Sequence, residues 1–301
     1  MISGAIKTLK SRGPLIGKDF AASASLEIFP AWKCCSGKKE IITEVVGNRY
    51  LRLDARVKGY ARLSPSIMRE FLNYTVIGLP EQRNLVDVMA DRLNKEIKAI
   101  SKAKIELALQ TVTRVIRSHR EGNTILEKSC LIIAGDVVFG MAHAEPRPES
   151  STGELVKGSD LDIIVVTDKL PGYLKRDLDR FFYDEKYNLL MNPALKEELD
   201  YIIKDISVIS SQLRFDTFKN MVASKILDEG QYLYGNQALY NQIKTMVDEA
   251  AVPSKIADLT KRAEADRLLA EQTLAGANRL TTVNEQLMAL FYTTEEKEEI
   301  F

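Results

Sequence analysis

The stretch Gly158-Ser159-Asp160-Leu161-Asp162-Ile163-Ile164-Val165-Val166 constrains this chain most. Its last four residues are β-branched, a shape that fits a pleated, buried surface, so the stretch predicts a strand. Side chains alternate faces along a strand, which puts Asp160 and Asp162 on the same face. Two neighbouring carboxylates repel unless positive charge lies between them. A hard divalent cation such as Mg²⁺ takes carboxylate and phosphate oxygens together. The pattern therefore points to metal-assisted phosphoryl chemistry. A plain turn is the competing reading, because Gly-Ser-Asp is loop-forming sequence. Asp162 argues against it, since a charge between apolar strand residues is costly without a partner.

The 301 residues are enough for two domains. No apolar run approaches the length that spans a bilayer, and the N-terminus lacks the apolar core of a signal peptide. The expectation is a cytoplasmic protein with no membrane partner. Cys34 and Cys35 are adjacent and Cys130 is remote, a spacing that suits neither a disulfide framework nor a zinc site. Buried small hydrophobes are the expected role.

Lys+Arg and Asp+Glu both total 42, but the charge is unevenly spread. Residues 1–70 carry thirteen Lys/Arg against six Asp/Glu, a surplus of seven positive charges. Such a segment suggests a polyanion partner. Ile6 and Leu9 predict a short helix ended at Gly13-Pro14, and 20–29 predicts one or two more, ended at Pro30. Residues 40–46 and 49–54, joined by Gly47-Asn48, predict a β-hairpin. Short helices followed by a basic hairpin resemble a winged helix-turn-helix, with 41–54 as the wing. Lys38, Lys39, Arg49 and Arg52 would then be the nucleic-acid contacts, made to phosphates. A helical cap with a solvated basic face is the alternative.

A connecting helix is expected over 60–74. From Glu81 to Arg120, Leu85, Val88, Met89, Leu93, Ile97 and Ile100, then a second set of Ile105, Leu107, Leu109, Val112, Val115 and Ile116, predict core-facing helices. Gly122-Asn123 reads as their C-cap. Residues 130–135 predict an apolar strand ending at Gly135, and 141–157 a mobile surface loop. Pro171-Gly172 opens a helix carrying Leu174, Leu178, Phe181 and Phe182. A strand follows near Leu199, then a helix from Met221, Gly230, and Leu233-Tyr234-Gly235. Residues 237–301 read as helical, with a last helix over 280–291 before the acidic tail Glu295–Glu299.

Taken in order, the pieces over about residues 128–236 resemble the nucleotidyltransferases of the DNA-polymerase-beta-like superfamily. That family's pattern is an apolar strand ending in Gly-Ser, Asp-x-Asp on the next strand, and a third carboxylate on a later one. The resemblance implies an α+β fold, a mixed sheet with flanking helices, behind the winged-helix-like domain. The division would be 1–80, 81–124 (linking helices), 125–236 (nucleotidyltransferase) and 237–301 (C-terminal helices). It implies Asp160, Asp162 and a third acid as catalytic residues and ligands of Mg²⁺ (or Mn²⁺), with Gly135, Gly158 and Ser159 binding the nucleotide. Asp200, between Leu199 and Tyr201, is the preferred third acid, and Asp205, beside Lys204, is the other candidate. Two departures stand out: Asp136 occupies the expected Ser position, where an acid repels phosphate, and the segment before the Asp-x-Asp is long. The implied reaction moves NMP from a nucleoside triphosphate, ATP most often, to a hydroxyl of RNA, protein or a small molecule. Some relatives act as toxins or in phage defence. The alternative is a non-catalytic, nucleotide-sensing regulator that binds nucleic acid.

Overall fold

The computed structural model describes residues 2–149, 151–280 and 283–293. The chain divides into two compact α+β units, 1–96 with 258–301 and 97–257. Both boundaries fall inside long helices. No helix of the described residues is long and apolar enough to cross a membrane.

The first unit begins α1 (Ile2–Arg12), β1 (Leu15–Ile16), α2 (Gly17–Ser23) and α3 (Ile28–Cys35). It continues β2 (Ile42–Val45), β3 (Tyr50–Leu53), β4 (Ala61–Ser64), α4 (Ile67–Tyr74) and β5 (Thr75–Gly78), then enters α5 (Arg83–Ser118). The hairpin expected over 41–54 does not form. β2 pairs with β5, Ile42 opposite Gly78, and β5 also pairs with β1, giving the order β1-β5-β2. β3 pairs instead with β4, Leu51 opposite Leu63. The cause is burial: all four β5 residues are buried, and a buried strand needs its backbone groups paired on both edges. Gly47-Asn48 thus joins strands of two different sheets.

The helix expected over 60–74 is shorter, because 61–64 is β4 and α4 starts only after Ser64-Pro65. The Ser66 hydroxyl caps it, accepting from the Arg69 N–H at 3.1 Å. Pro30 does not end a helix. It sits in the first turn of α3, where a missing N–H costs no helical bond. The core gathers Leu9, Phe20, Phe29, Trp32, Phe71 and Ile77. Phe291 meets Phe29 and Trp32 edge-on at 5.4 and 5.7 Å. All three cysteines are free and buried, as expected.

The pattern over 81–120 is one helix, α5. Its core-facing residues include Val86, Ala90, Leu93, Ile97, Ala108 and Val112, whereas Leu85 and Val88 are 59% and 69% exposed. Gly122 does not cap α5 but opens α6 (Gly122–Lys128). The second unit continues β6 (Ser129–Ala134), β7 (Pro146–Pro148), β8 (Leu155–Lys157), β9 (Leu161–Thr167), α7 (Gly172–Met191) and β10 (Leu199–Asp205). It closes with α8 (Ile206–Gln212), α9 (Phe218–Glu229), β11 (Gln231–Gly235), α10 (Gln237–Glu249) and the start of α11 (Val252–Gly276). The helix expected over 280–291 is α12 (Glu285–Phe291), in the first unit. The acidic tail Glu295–Glu299 lies outside the described residues.

The main sheet has the order β10-β9-β6-β11, with β9 and β10 parallel and the other pairs antiparallel. On one face Leu131, Ile133, Leu161, Ile163, Val165 and Leu199 pack with Val112 and Ile116 of α5 and Leu174, Leu178 and Phe182 of α7. On the other, Cys130, Ile132, Ile164 and Val166 pack with Ile209 of α8, Leu227 of α9 and Leu239 and Ile243 of α10. Each fully buried aliphatic side chain contributes about 1.5–3 kcal/mol, so the near-continuous apolar run of β9 makes it a central strand covered on both faces. The segment expected as a loop over 141–157 contains a two-stranded ribbon, β7 against β8.

Candidate functional site

Asp160 stands at the entry to β9, and Asp162 is the strand's second residue. Parallel pairing sets Asp200 of β10 directly beside Asp162, and antiparallel pairing sets Ala134 on its other side. The alternation predicted from the sequence therefore holds across two strands. One ligand oxygen from each of Asp160, Asp162 and Asp200 lies within 4.8 Å of the others, and all three residues are half-buried. Three convergent carboxylates are the donor set that a hard divalent cation takes, and they fit Mg²⁺ or Mn²⁺.

Asp205 has other work. Its carboxylate caps α8, accepting from the Ser207 N–H and hydroxyl at 3.2 and 2.9 Å, and it pairs with Lys175 at 2.8 Å. The Lys175 hydrogen bond leads in pulling this carboxyl down to about 2. Lys204 shares the sheet face of Asp200 but donates to Gln212 of α8 at 3.1 Å, and burial pushes its pKa down to about 8.

Two cations that the sequence did not single out reach the acids. Lys186 of α7 donates to Asp200 at 2.6 Å. Burial alone would lower the Lys186 pKa, but the hydrogen bond and charge of Asp200 outweigh it and raise the group. Arg147 of β7 pairs with Asp160, and its Nη2 also lies 2.7 Å from Glu198. No sequence signal marks Arg147, Lys186 or Glu198. They come from a ribbon, a helix and a strand entry, and only the folded chain brings them together.

Gly135 follows β6 with φ +81°, and a Cβ there would stand 2.4 Å from Asp162 Oδ2. The glycine is what lets this backbone pass so close to the acid. Gly135→Ala is expected to cost about 1–3 kcal/mol through its left-handed backbone. Displacing Asp162 should weaken Mn²⁺ binding by about 10-fold or more. Thermal melting and calorimetric Mn²⁺ titration check the two effects. The Gly135 N–H is directed at Glu229 of α9, whose carboxyl burial pushes up against the pull of Lys225 and of that N–H.

Gly158 and Ser159, expected at the nucleotide, are packed into the fold. A Cβ on Gly158 (φ +58°) would lie 1.9 Å from the His143 carbonyl. Ser159 is 5% exposed; its hydroxyl donates to Asp136 and accepts from the His143 N–H at 3.0 Å. Asp136 thus ties the end of β6 to the residues before β9. In the first unit, Lys38, Lys39 and Arg52 are exposed. Arg49 instead donates two hydrogen bonds to Glu70, both 2.6 Å, and a third to Glu271 at 3.1 Å. Glu70 is also paired with the buried Arg267. Arg49 is therefore the exposed end of an ion-pair network. No protein-family model matches the chain, and no curated protein sequence matches it.

Proposed function

We propose that the unit 97–257 is a metal-dependent nucleotidyltransferase moving NMP from a nucleoside triphosphate, ATP by resemblance, to a hydroxyl acceptor. The observation that carries this reading is the convergence of Asp160, Asp162 and Asp200 from two neighbouring parallel strands. A mixed sheet with helices on both faces around the acids supports the reading. Asp160, Asp162 and Asp200 would hold Mg²⁺ or Mn²⁺. Bound there, the ion would neutralise phosphate charge and make the acceptor hydroxyl more acidic. Asp162, on the central strand, holds the middle of the site. Asp200, on the edge strand and hydrogen-bonded by Lys186, would serve the acceptor hydroxyl. The acceptor oxygen would bond to the α-phosphorus as the α–β phosphoanhydride bond breaks, pyrophosphate leaving and the hydroxyl proton passing to solvent.

The test is incubation with each labelled triphosphate, Mg²⁺ and a total cell extract. Label should pass to a protein, RNA or small-molecule fraction with the wild type and not with Asp162→Asn. Absence of any labelled acceptor, together with no Mn²⁺–triphosphate binding, would sink the reading. One observation favours the non-catalytic regulator instead: Arg147 and Lys186 already supply counter-charge to Asp160 and Asp200. Triphosphate binding without transfer to any acceptor is the outcome that reading expects.

The first unit is proposed as a nucleic-acid-binding domain of winged-helix type. Three helices precede β2, and the order β1-β5-β2 supports this, with β5 as the returning strand. Its phosphate contacts would be Lys38, Lys39 and Arg52. Duplex DNA or RNA should bind with affinity that falls steeply with salt. The Lys38→Ala/Lys39→Ala double variant should reduce the log–log salt slope by about two. Filter binding across a salt series measures this, and no binding at low salt would leave the unit as a helical cap.

A further inference from the structure

We propose that Arg147 is a triphosphate-binding residue held on Asp160 until substrate arrives, an inference that rests on the nucleotidyltransferase reading above. Arg147 lies on β7, opposite Val156 of β8. Its Nε donates to the Gly158 carbonyl at 2.7 Å, which fixes the plane of the guanidinium beside the Asp-x-Asp. Its Nη2 sits between Asp160 and Glu198.

The two acids differ in kind. The Glu198 side chain is 7% exposed, and its Oε2 approaches Nη2 at 2.7 Å without a well-aligned N–H···O. A buried carboxylate left without its cation is strongly destabilising, so Glu198 anchors Arg147 whatever happens at Asp160. Asp160 is 35% exposed and belongs to the metal-binding group. Once Asp160 turns its charge to a divalent ion, Arg147 keeps its hold on Gly158 and Glu198 but has donors to spare. An arginine presents five N–H groups in a planar fork that suits phosphate oxygens. Anchored on one side and released on the other, it is a preorganised cation next to the ion that accompanies a polyphosphate. The ribbon that carries it is the segment separating the β6 strand from the Asp-x-Asp. Its length thus has a physical use: it brings an arginine back across the site.

A permanent counter-ion would behave differently, and calorimetry on the full chain separates the two roles. The probes are Mn²⁺ alone and Mg²⁺–tripolyphosphate, which needs no base recognition. Arg147→Gln should bind Mn²⁺ alone about tenfold more tightly, because no cation has to leave Asp160. It should bind Mg²⁺–tripolyphosphate about tenfold more weakly, because the phosphate ligand is gone. Arg147→Lys, which keeps the charge but not the fork, should fall between on both measures. If Glu198 left unpaired prevents Arg147→Gln from folding, the Arg147→Gln/Glu198→Gln double variant removes the buried charge and should show the same opposed shifts. Tighter Mn²⁺ with unchanged or tighter tripolyphosphate binding would overturn the proposal and leave Arg147 a counter-ion, with the nucleotidyltransferase reading intact. Wild-type protein that binds neither probe would remove that reading and this proposal together.

Discussion

Asp162→Asn is expected to lose divalent-ion and ion–triphosphate binding, with affinity for Mn²⁺ down by about 100-fold, while the protein melts close to the wild-type temperature. Asp162 sits on the central strand between Ala134 and Asp200, in contact range of both other acids. Asparagine keeps the shape and the strand but removes the charge. Losing an outer partner of a metal ligand already costs about 10–100-fold in affinity, so losing a ligand at the centre of the group should reach the upper end. Removing one of three mutually repelling carboxylates also relieves the folded state, which is why stability should hold while binding fails. Calorimetric titration with Mn²⁺ and a triphosphate, beside a melting curve, measures both. Unchanged affinity would remove the basis of the proposed reaction.

Asp200→Ala should separate chemistry from binding. Asp200 lies on the edge strand, its side chain 47% exposed, so little packing depends on it. On the proposed reaction it acts where the acceptor hydroxyl is activated. Transfer should fall on the order of 10³-fold, while triphosphate affinity changes by only about threefold, the pattern of an interaction realised in the transition state. Single-turnover transfer with the acceptor found in the labelling experiment, alongside equilibrium triphosphate binding, gives the two numbers. Asp205→Ala is the control. Loss of its cap on α8 and its pair with Lys175 should cost about 1 kcal/mol of stability and leave ion binding untouched. A larger loss of Mn²⁺ binding in Asp205→Ala than in Asp200→Ala would reverse the assignment of the third acid.

The central strand and the placing of the acids were legible in the sequence because both depend on local rules. A run of branched residues makes a buried strand, and period two puts Asp160 and Asp162 on one side. The same periodicity separates Asp200 from Asp205 by an odd number of residues, which the regular β10 realises. Partner choice between distant segments was not legible. Gly47-Asn48 is a sound turn, yet β2 and β3 leave for different sheets because the buried β5 takes β2. Leu85 and Val88 match a helical stripe, but the helix turns Val86 to the core in their place. Arg49 counts as a positive charge in the composition and is held by Glu70 and by Glu271, more than two hundred residues away. In the same way Arg147, Lys186 and Glu198 carry no local pattern that sends them to the acids. A side chain's periodicity follows from its own backbone, whereas its charge partner is decided by which elements the whole core brings together. The shared face of Asp160 and Asp162 was therefore determined by sequence, and Glu198 and the cations that answer the acids only by tertiary structure.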